Sequence, residues 1–191
     1  MVTEIRIYFE GDSALKPGFD NFLREIKAAA EGRCRFRLIA TNATPAADFH
    51  TAIKTHPDAA NVLLLDSDET IAGDLSVFCE KKRLAGLSSQ VFWMAQIMES
   101  WFLADPESLK KYYGSGFQEN ALHGNPNVEH IPKSDVLSRL KAATRGTKRK
   151  EYHKTGHAPH LLASIRPDLV TTAAPNCKRL FDALRERLAE Q

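Results

Sequence analysis

The segment Val62-Leu63-Leu64-Leu65, followed directly by Asp66-Ser67-Asp68, says most about the architecture of this chain. A short, uninterrupted apolar run is typical of a strand that is buried on both faces of a parallel sheet. Three further segments, at 5–9, 36–40 and 91–94, have the length and composition of strands. Helical segments separate the first three strands, so the sequence predicts an α/β fold with a mostly parallel, four-stranded sheet flanked by helices.

Apolar residues recur at helical spacing over 15–26 and, more weakly, over 46–55. Asp12 or Ser13 can cap the first of these helices, and Gly32 ends it. The second half of the chain has helical segments punctuated by glycine and proline, at 98–103, 108–113, 134–144, 159–165 and 176–189. We therefore predict an α/β core over 1–105 and a helical, basic C-terminal extension over 106–191.

The net charge of +2, from 26 Lys+Arg and 24 Asp+Glu, hides a division along the 191 residues. Residues 1–105 carry a net charge of −4, whereas residues 106–191 carry +6. Basic side chains are densest at 141–160, where six Lys and Arg stand against Glu151 alone. Such a patch can contact the phosphates of a nucleic acid, and it can equally be a solvated loop between Gly146 and Gly156.

Several classes of protein are disfavoured by the same sequence. Its apolar runs are too short to span a bilayer, and its first residues lack the basic-then-apolar pattern of a signal peptide. The three cysteines are odd in number, widely separated and without a CxxC pair. These features predict a cytoplasmic protein with reduced cysteines and no membrane partner.

Acidic residues follow two of the predicted strands. Glu10-Gly11 comes after the first strand, and Asp66 and Asp68 come after the buried one. Ligands of open parallel sheets bind beyond the carboxyl ends of the strands, so Glu10, Asp66 and Asp68 should meet at one edge. Their mutual repulsion calls for a cation, and oxygen ligands favour Mg²⁺ or Mn²⁺ and metal-assisted phosphoryl transfer. An Asp-x-Asp after a strand is, however, also an ordinary turn sequence.

The segments Ile7-Tyr8-Phe9-Glu10-Gly11 and Leu63-Leu64-Leu65-Asp66-Ser67-Asp68 resemble the Toprim fold of primases, topoisomerases and several nucleases. The likeness covers about the first 105 residues, and it implies a Toprim-like catalytic core over 1–105. It further implies that Glu10 is a metal ligand or general acid–base and that Asp66 and Asp68 hold Mg²⁺.

Longer strings resemble an uncharacterised prokaryotic family of Toprim-like proteins. They are Met98-Glu99-Ser100-Trp101-Phe102-Leu103-Ala104-Asp105, Asn125-Pro126-Asn127-Val128-Glu129, Ile131-Pro132-Lys133 and Glu151-Tyr152-His153-Lys154. That resemblance covers nearly the whole chain. It implies an ABC-type ATPase as partner and a place in a phage-defence module.

Other side chains admit two interpretations each. Glu99 follows the fourth predicted strand and is either a fourth metal ligand or the partner of a Lys or Arg. Lys154 could stabilise charge on a scissile phosphate, and Tyr152 could stack on a base. A zinc site at His153, His157 and His160 is disfavoured, because Gly156 and Pro159 should interrupt a helix there. Four side chains have structural interpretations: Asp105 before Pro106 is a helix cap, and Trp93, Trp101 and Phe102 are core residues.

Three functions remain open from the sequence alone. The first is Mg²⁺-dependent, nuclease-type hydrolysis of RNA, tRNA or DNA held by the basic segment 141–160. The second is a phosphatase of the haloacid dehalogenase type, because residues 63–70 fit its opening motif with Asp66 as nucleophile and Asp68 as acid–base. The third is a non-catalytic subunit of an ATPase complex.

Overall fold

The computed structural model describes residues 3–41, 43–71, 73–122 and 124–189. Within these residues the chain forms one four-stranded sheet in the order β2-β1-β3-β4, and every neighbouring pair is parallel. The strands are β1 (Glu4–Glu10), β2 (Arg35–Thr41), β3 (Ala60–Asp66) and β4 (Val91–Met94). The predicted α/β class and parallel sheet are confirmed, and the architecture is consistent with a Toprim-like or Rossmann-like fold.

Helices cover both faces of the sheet. In chain order they are α1 (Lys16–Phe22), α2 (Arg24–Ala29), α3 (Pro45–Thr55), α4 (Leu75–Lys81), α5 (Pro106–Tyr113), α6 (Lys133–Thr144), α7 (Lys154–Ser164), α8 (Pro167–Ala173) and α9 (Pro175–Ala189). In the described part of the chain, 3₁₀ segments occur at Ser13–Leu15, Met98–Ala104, Glu119–Leu122 and Val128–His130.

The two faces of the sheet have separate hydrophobic cores. Alternate strand residues such as Tyr8, Leu63 and Trp93 pack with Phe49 of α3 and Phe78 of α4. The residues between them, including Phe9, Leu64 and Phe92, join a larger core on the other face. That larger core takes in α1, α2 and the helices after residue 105, so the C-terminal extension shares its interior with the sheet.

The contact between α1 and α7 shows how closely the extension packs on the sheet domain. A Cβ atom built on Gly18 of α1 would lie 2.9 Å from the carbonyl oxygen of Pro159 and 3.0 Å from Cβ of Leu162. Glycine is therefore required for this approach of the two backbones. The apolar face of α9 is buried as its periodicity predicts, and so are the side chains assigned to the core, Trp93, Trp101 and Phe102.

Several local predictions differ from the structure. α7 begins at Lys154 and contains both Gly156 and Pro159, which the sequence interpretation treated as interruptions. Packing against α1 outweighs the single hydrogen bond that Pro159 cannot donate. Residues 98–104 form a 3₁₀ rather than an α-helix, and the first helix is divided at Leu23. Two short helices, α4 and α8, were not predicted.

A buried carboxylate ties the extension to the end of the core. Asp105 is fully buried and caps α5, accepting from the backbone N–H of Ser108 at 3.2 Å. Its two oxygens also accept from the guanidinium and backbone N–H of Arg166, at 2.7–3.1 Å. Burial alone would raise the pKa of Asp105, but the hydrogen bonds from Arg166 and Ser108 hold it below its ordinary value of 3.8.

We expect Arg166→Ala to destabilise the protein, because it leaves the buried carboxylate of Asp105 without its charged partner. A carboxyl group with a lowered pKa stabilises the fold above its ordinary pKa, and that contribution is lost as the pH falls through 4 and below. The difference between wild type and Arg166→Ala in urea unfolding should therefore be largest near neutral pH and shrink on acidification. An equal difference at all pH values would contradict this account. Arg145→Ala, which replaces an exposed arginine, is the matched control.

Two findings bear on the expected absence of a membrane span and on the expected reduced cysteines. No helix in the described ranges is long and apolar enough to cross a membrane. The three cysteines are free; Cys79 and Cys177 are buried and Cys34 is partly exposed.

Candidate functional site

Glu10 and Asp66 meet at the carboxyl edge of the sheet because β1 and β3 are neighbours. The register pairs Tyr8 with Leu63 and Phe9 with Leu64, so both strands end at the same level. Glu10 Oε2 accepts a hydrogen bond from the backbone N–H of Asp66 at 3.1 Å. The predicted convergence of these two carboxylates is thus present in the structure.

Gly11 fixes the direction in which the chain leaves β1. Its φ of 135° is a conformation that side-chain-bearing residues rarely adopt, and a Cβ atom there would lie 2.7 Å from Cδ1 of Leu15. The Gly11 N–H donates to the Thr41 carbonyl at 3.0 Å. Asp12 then caps the following 3₁₀ turn through the Ala14 N–H at 2.7 Å, which confirms its predicted capping role. Backbone geometry therefore requires glycine at position 11, whereas Glu10 contributes its carboxylate to the site.

Asp66 lies at the floor of the site, with 12% of its side chain exposed. Its Oδ1 accepts from the Met98 N–H at 2.8 Å, and its Oδ2 lies 3.8 Å from Nζ of Lys154. Burial raises the pKa of Asp66 to about 7; Lys154 opposes this, and the negative charges of Glu99 and Glu10 add to it. Burial also raises the pKa of Glu10. Both groups resist ionisation in the absence of a cation.

Glu99 is the third carboxylate of the site, and it is almost completely buried, with 1% of its side chain exposed. Its Oε1 accepts from the Tyr152 hydroxyl at 3.0 Å and lies 3.5 Å from Nζ of Lys154. Its Oε2 is buried and has no hydrogen-bond partner among the described residues. A buried carboxylate oxygen without a partner is costly, so a bound water or cation is expected at this oxygen. We call Glu10, Asp66 and Glu99 the acidic site.

The extension supplies the positive charge of the acidic site. Lys154 is the first residue of α7, and its ammonium group lies between Asp66 and Glu99. Tyr152 is held by its own N–H, which donates to Oγ1 of Thr144 at 2.7 Å. With 3% exposure, the Tyr152 ring belongs to the core and is not available to stack on a base as the sequence suggested. Its hydroxyl instead fixes the carboxylate of Glu99.

Asp68 is close to the acidic site but its carboxylate pairs with lysines. The residue has a left-handed backbone (φ 62°), and its N–H donates to the Gln96 carbonyl at 2.9 Å. Its Oδ1 accepts from Nζ of Lys133 at 2.7 Å, and its Oδ2 lies 3.9 Å from Nζ of Lys82. The structure thus places Glu99, rather than Asp68, in direct contact with the lysine that bridges Asp66.

The basic segment 141–160 forms the end of α6, a connecting loop and the start of α7. Its loop is anchored rather than free, because Nε of Arg149 donates to the Tyr112 carbonyl at 2.8 Å and its guanidinium lies 4.3 Å from the Tyr112 ring centroid. The three histidines face aromatic partners. Nδ1 of His157 lies 3.0 Å from the Tyr113 hydroxyl, and the His160 ring stacks on Tyr112.

The donor set of the acidic site suits a hard divalent cation. Among the described residues, no group of three or more His, Cys, Asp or Glu side chains is arranged to hold a metal ion. Magnesium ions, however, are commonly held by one or two carboxylates and keep several waters. Two carboxylates of the site meet this need for one or two ligands. Glu99 has an unpartnered Oε2, and Asp66 has a carboxylate that burial keeps poorly solvated.

Sequence reasoning missed two contributors to this edge of the sheet. Gln96 follows β4, and its side-chain oxygen accepts from the Lys133 N–H at 2.8 Å, which connects the extension to the Asp68 loop. Lys133 belongs to the string Ile131-Pro132-Lys133 that carries a family resemblance, but no role at the site was predicted for it. Lys133 begins α6 directly after Pro132. Its contacts with Gln96 and Asp68 join residues far apart in the chain, which a local sequence pattern cannot predict.

A scan against protein-family models matches residues 12–185 to the family described as Domain of unknown function (DUF4276). The chain belongs to the DUF4276 family. The matched range includes Asp66, Glu99 and Lys154 and ends within α9, while Glu10 lies just before it. No significant match was found among curated proteins or among solved structures. The family assignment confirms the coarse expectation of an uncharacterised family spanning nearly the whole chain.

Proposed function

We propose that this DUF4276 protein is a metal-dependent nuclease that hydrolyses phosphodiester bonds at the acidic site, with Mg²⁺ or Mn²⁺ as its cofactor. The observation that carries the proposal is the buried, unpartnered Oε2 of Glu99, next to Asp66 and Lys154. Three carboxylates and one lysine at a sheet edge provide what phosphodiester hydrolysis needs, namely cation ligands and a positive group for the phosphate.

Each residue of the site has a distinct role in this proposal. Glu99 and Asp66 hold the cation, with Glu10 as the third ligand or as the group that exchanges a proton at the attacking water. When bound, the cation polarises a phosphoryl oxygen and lowers the pKa of a coordinated water. Lys154 is half exposed, so its ammonium group can turn from the carboxylates to a non-bridging phosphate oxygen. Asp68 and Lys133 form an ion pair close to the acidic site and take no part in holding the cation.

The charge distribution supports a polyanionic substrate. Lys154 is the last Lys or Arg of the segment 141–160, and the five that precede it in the segment are exposed as well. A polyanion that contacts this segment would have one phosphate at Lys154, directly above Asp66 and Glu99. The proposal therefore connects the acidic and basic halves of the sequence in one site.

Three parts of the proposal rest on resemblance to known families: the Toprim-type active site, the role in defence and the ATPase partner. The Glu10-Gly11 and Asp66-x-Asp68 segments are similar to the Toprim motifs, and the longer strings are similar to proteins that accompany ABC-type ATPases in phage defence. We include a Toprim-type active site, a defence role and an ATPase partner in the proposal on those grounds. An assay with any co-encoded ATPase added in parallel tests the last of these.

The experiment that tests the proposed function is a cleavage assay with purified protein. Labelled tRNA, single-stranded DNA and duplex DNA are incubated with Mg²⁺, with Mn²⁺ or with EDTA. We expect cleavage of at least one polymer in either metal and none in EDTA. Metal-independent cleavage, or cleavage that survives both Glu10→Ala and Asp66→Ala, would contradict the proposal.

We expect Glu99→Gln to bind Mn²⁺ at least about tenfold more weakly than the wild type, because it removes one negative charge and one hard oxygen ligand. The amide keeps the size of the side chain and an oxygen that can accept from Tyr152. The measurement is a Mn²⁺ titration followed by electron paramagnetic resonance, which needs no substrate.

Glu107→Gln is the control, since Glu107 is an exposed acid that pairs with Arg166 outside the site. Equal Mn²⁺ affinity in wild type and Glu99→Gln would show that Glu99 is only the structural partner of Tyr152 and Lys154.

A further inference from the structure

A groove of about 540 Å³ opens beside the acidic site. Its apolar lining is mainly Leu137, which is partly exposed, with the small exposed parts of Ile97 and Tyr152, and Glu99 also lines it. Three lysines, Lys133, Lys141 and Lys154, stand along it. The groove therefore joins an apolar surface and a row of positive charges to the carboxylate whose Oε2 has no partner.

A second, smaller hollow of about 350 Å³ lies on the other side of Lys154. Its walls include Ala14, Leu15 and Pro159, and Lys154 lines both spaces. Lys154, whose ammonium group lies 3.8 Å from Asp66 and 3.5 Å from Glu99, is thus shared by the two hollows. A chain molecule that crosses Lys154 has an apolar recess available before and after that point.

We propose that the substrate is a single-stranded nucleic acid, which places one unstacked nucleotide in the groove and the next in the smaller hollow, with the phosphate between them at Lys154. This inference rests on the proposed function and names the substrate class of the same site.

The dimensions favour an unpaired strand. The groove has the volume of a pocket for one small ligand, which is about 300–1,000 Å³. It can take one base with its sugar, but not bases that remain stacked and paired. The carboxylates are also recessed, since Asp66 and Glu99 expose only 12% and 1% of their side chains. A phosphate reaches them only when the strand can bend into the site, which unpaired strands do readily.

The charges of the groove fit the same occupant. A nucleotide has an apolar base face and an anionic phosphate, and the groove offers Leu137 for the first and lysines for the second. Lys141 already pairs with Glu151 at 3.5 Å, and both side chains are more than half exposed. Exposed pairs of this kind are weak, so a phosphate can replace Glu151 at Lys141 at little cost.

The test compares the binding of a labelled single-stranded oligothymidylate and of a hairpin duplex of equal length, measured by fluorescence anisotropy in EDTA. Lys141→Glu reverses a charge on the groove, and Leu137→Trp fills the groove. Lys54→Glu makes the same charge change on an exposed residue of α3, outside both hollows. We expect the wild type to bind the single strand about tenfold more tightly than the duplex. Lys141→Glu and Leu137→Trp should each lose about tenfold for the single strand, and Lys54→Glu should lose nothing.

Three results would overturn the inference: tighter binding of the duplex, an equal loss in Lys54→Glu and Lys141→Glu, or unchanged binding in Lys141→Glu. If Leu137→Trp fails to fold by circular dichroism, Lys141→Glu carries the test alone. Hydrolysis of bis(p-nitrophenyl) phosphate with Mn²⁺ separates this inference from the proposed function, because that small diester does not need the groove. Hydrolysis without single-strand preference overturns the groove only. Single-strand preference that depends on Lys141, without hydrolysis, leaves the groove standing and overturns the nuclease.

Discussion

Asp66→Asn is expected to abolish metal-dependent cleavage and, in the absence of a cation, to unfold at a higher temperature than the wild type. The loss of activity should reach about a thousandfold or more, because a cation ligand and several kcal/mol of transition-state stabilisation are removed together. The gain in stability has a different cause. It comes from removing a carboxylate that the fold keeps poorly solvated.

The size and sign of the stability gain follow from the pKa of Asp66, which is about 7 in the fold against an ordinary value of 3.8. A raised carboxyl pKa means that the fold loses stability as the pH rises from 4 to 7, because only the unfolded chain has released its proton there. Each pKa unit corresponds to about 1.4 kcal/mol, so the penalty is on the order of a few kcal/mol above neutral pH. Asparagine carries no charge and avoids this penalty.

Thermal unfolding in EDTA at several pH values measures the effect. The melting temperature of Asp66→Asn should exceed that of the wild type by about 2–4 °C for each kcal/mol, with no difference near pH 4. Asp58→Asn is the control, since Asp58 lies in an exposed turn before β3 and should change neither activity nor stability. A destabilised Asp66→Asn protein would show that Asp66 is a structural residue whose contacts with Met98 and Lys154 outweigh its burial.

Lys154→Met is expected to lower the cleavage rate by about a hundredfold to a thousandfold while leaving Mn²⁺ affinity equal or tighter. The loss arises because the ammonium group that faces the phosphate is removed. The effect on the cation has the opposite sign, since Nζ of Lys154 now lies within 3.8 Å of Asp66 and 3.5 Å of Glu99 and repels a second cation there. Methionine keeps an unbranched, flexible stem of nearly the same length and removes the charge.

The two quantities should be measured above pH 7, where Asp66 is ionised. Single-turnover cleavage gives the rate, and paramagnetic resonance of bound Mn²⁺ gives the affinity. Lys154→Arg keeps the charge and should retain a larger part of the rate than Lys154→Met. If Lys154→Met cleaves at the wild-type rate, the lysine serves only to neutralise the carboxylates. If it loses Mn²⁺ in parallel with activity, the lysine organises the cation site and does not contact the phosphate.

The strands and the first two carboxylates were predictable because short-range signals determine them. β-Branched and aromatic residues identify β1, and a continuous apolar run identifies β3. The rule that ligands bind beyond the carboxyl ends of parallel strands then brings Glu10 and Asp66 together. Glu99 was a candidate for the same reason, since it follows β4. The burial of α9 followed from its helical periodicity.

The remaining features depend on contacts between distant parts of the chain. Asp68 shares the Asp-x-Asp sequence with Asp66, yet its carboxylate pairs with Lys133, a residue 65 positions away. Tyr152 lies in a basic run that predicts exposure, and only the packing of the extension places its ring in the core. The continuation of α7 through Gly156 and Pro159 likewise depends on its contact with α1. Local patterns carry no information on any of these.

The most direct test of the central claim is the position of a bound cation. Crystals of the wild-type protein grown with Mn²⁺ above pH 7 should show an anomalous difference peak bounded by Asp66 and Glu99, with Glu10 beside it. The same experiment on Glu99→Gln should give a much weaker peak. A protein saturated with Mn²⁺ that shows no peak at these carboxylates, or shows one only elsewhere, would contradict the assignment of this sheet edge as a metal-dependent active site.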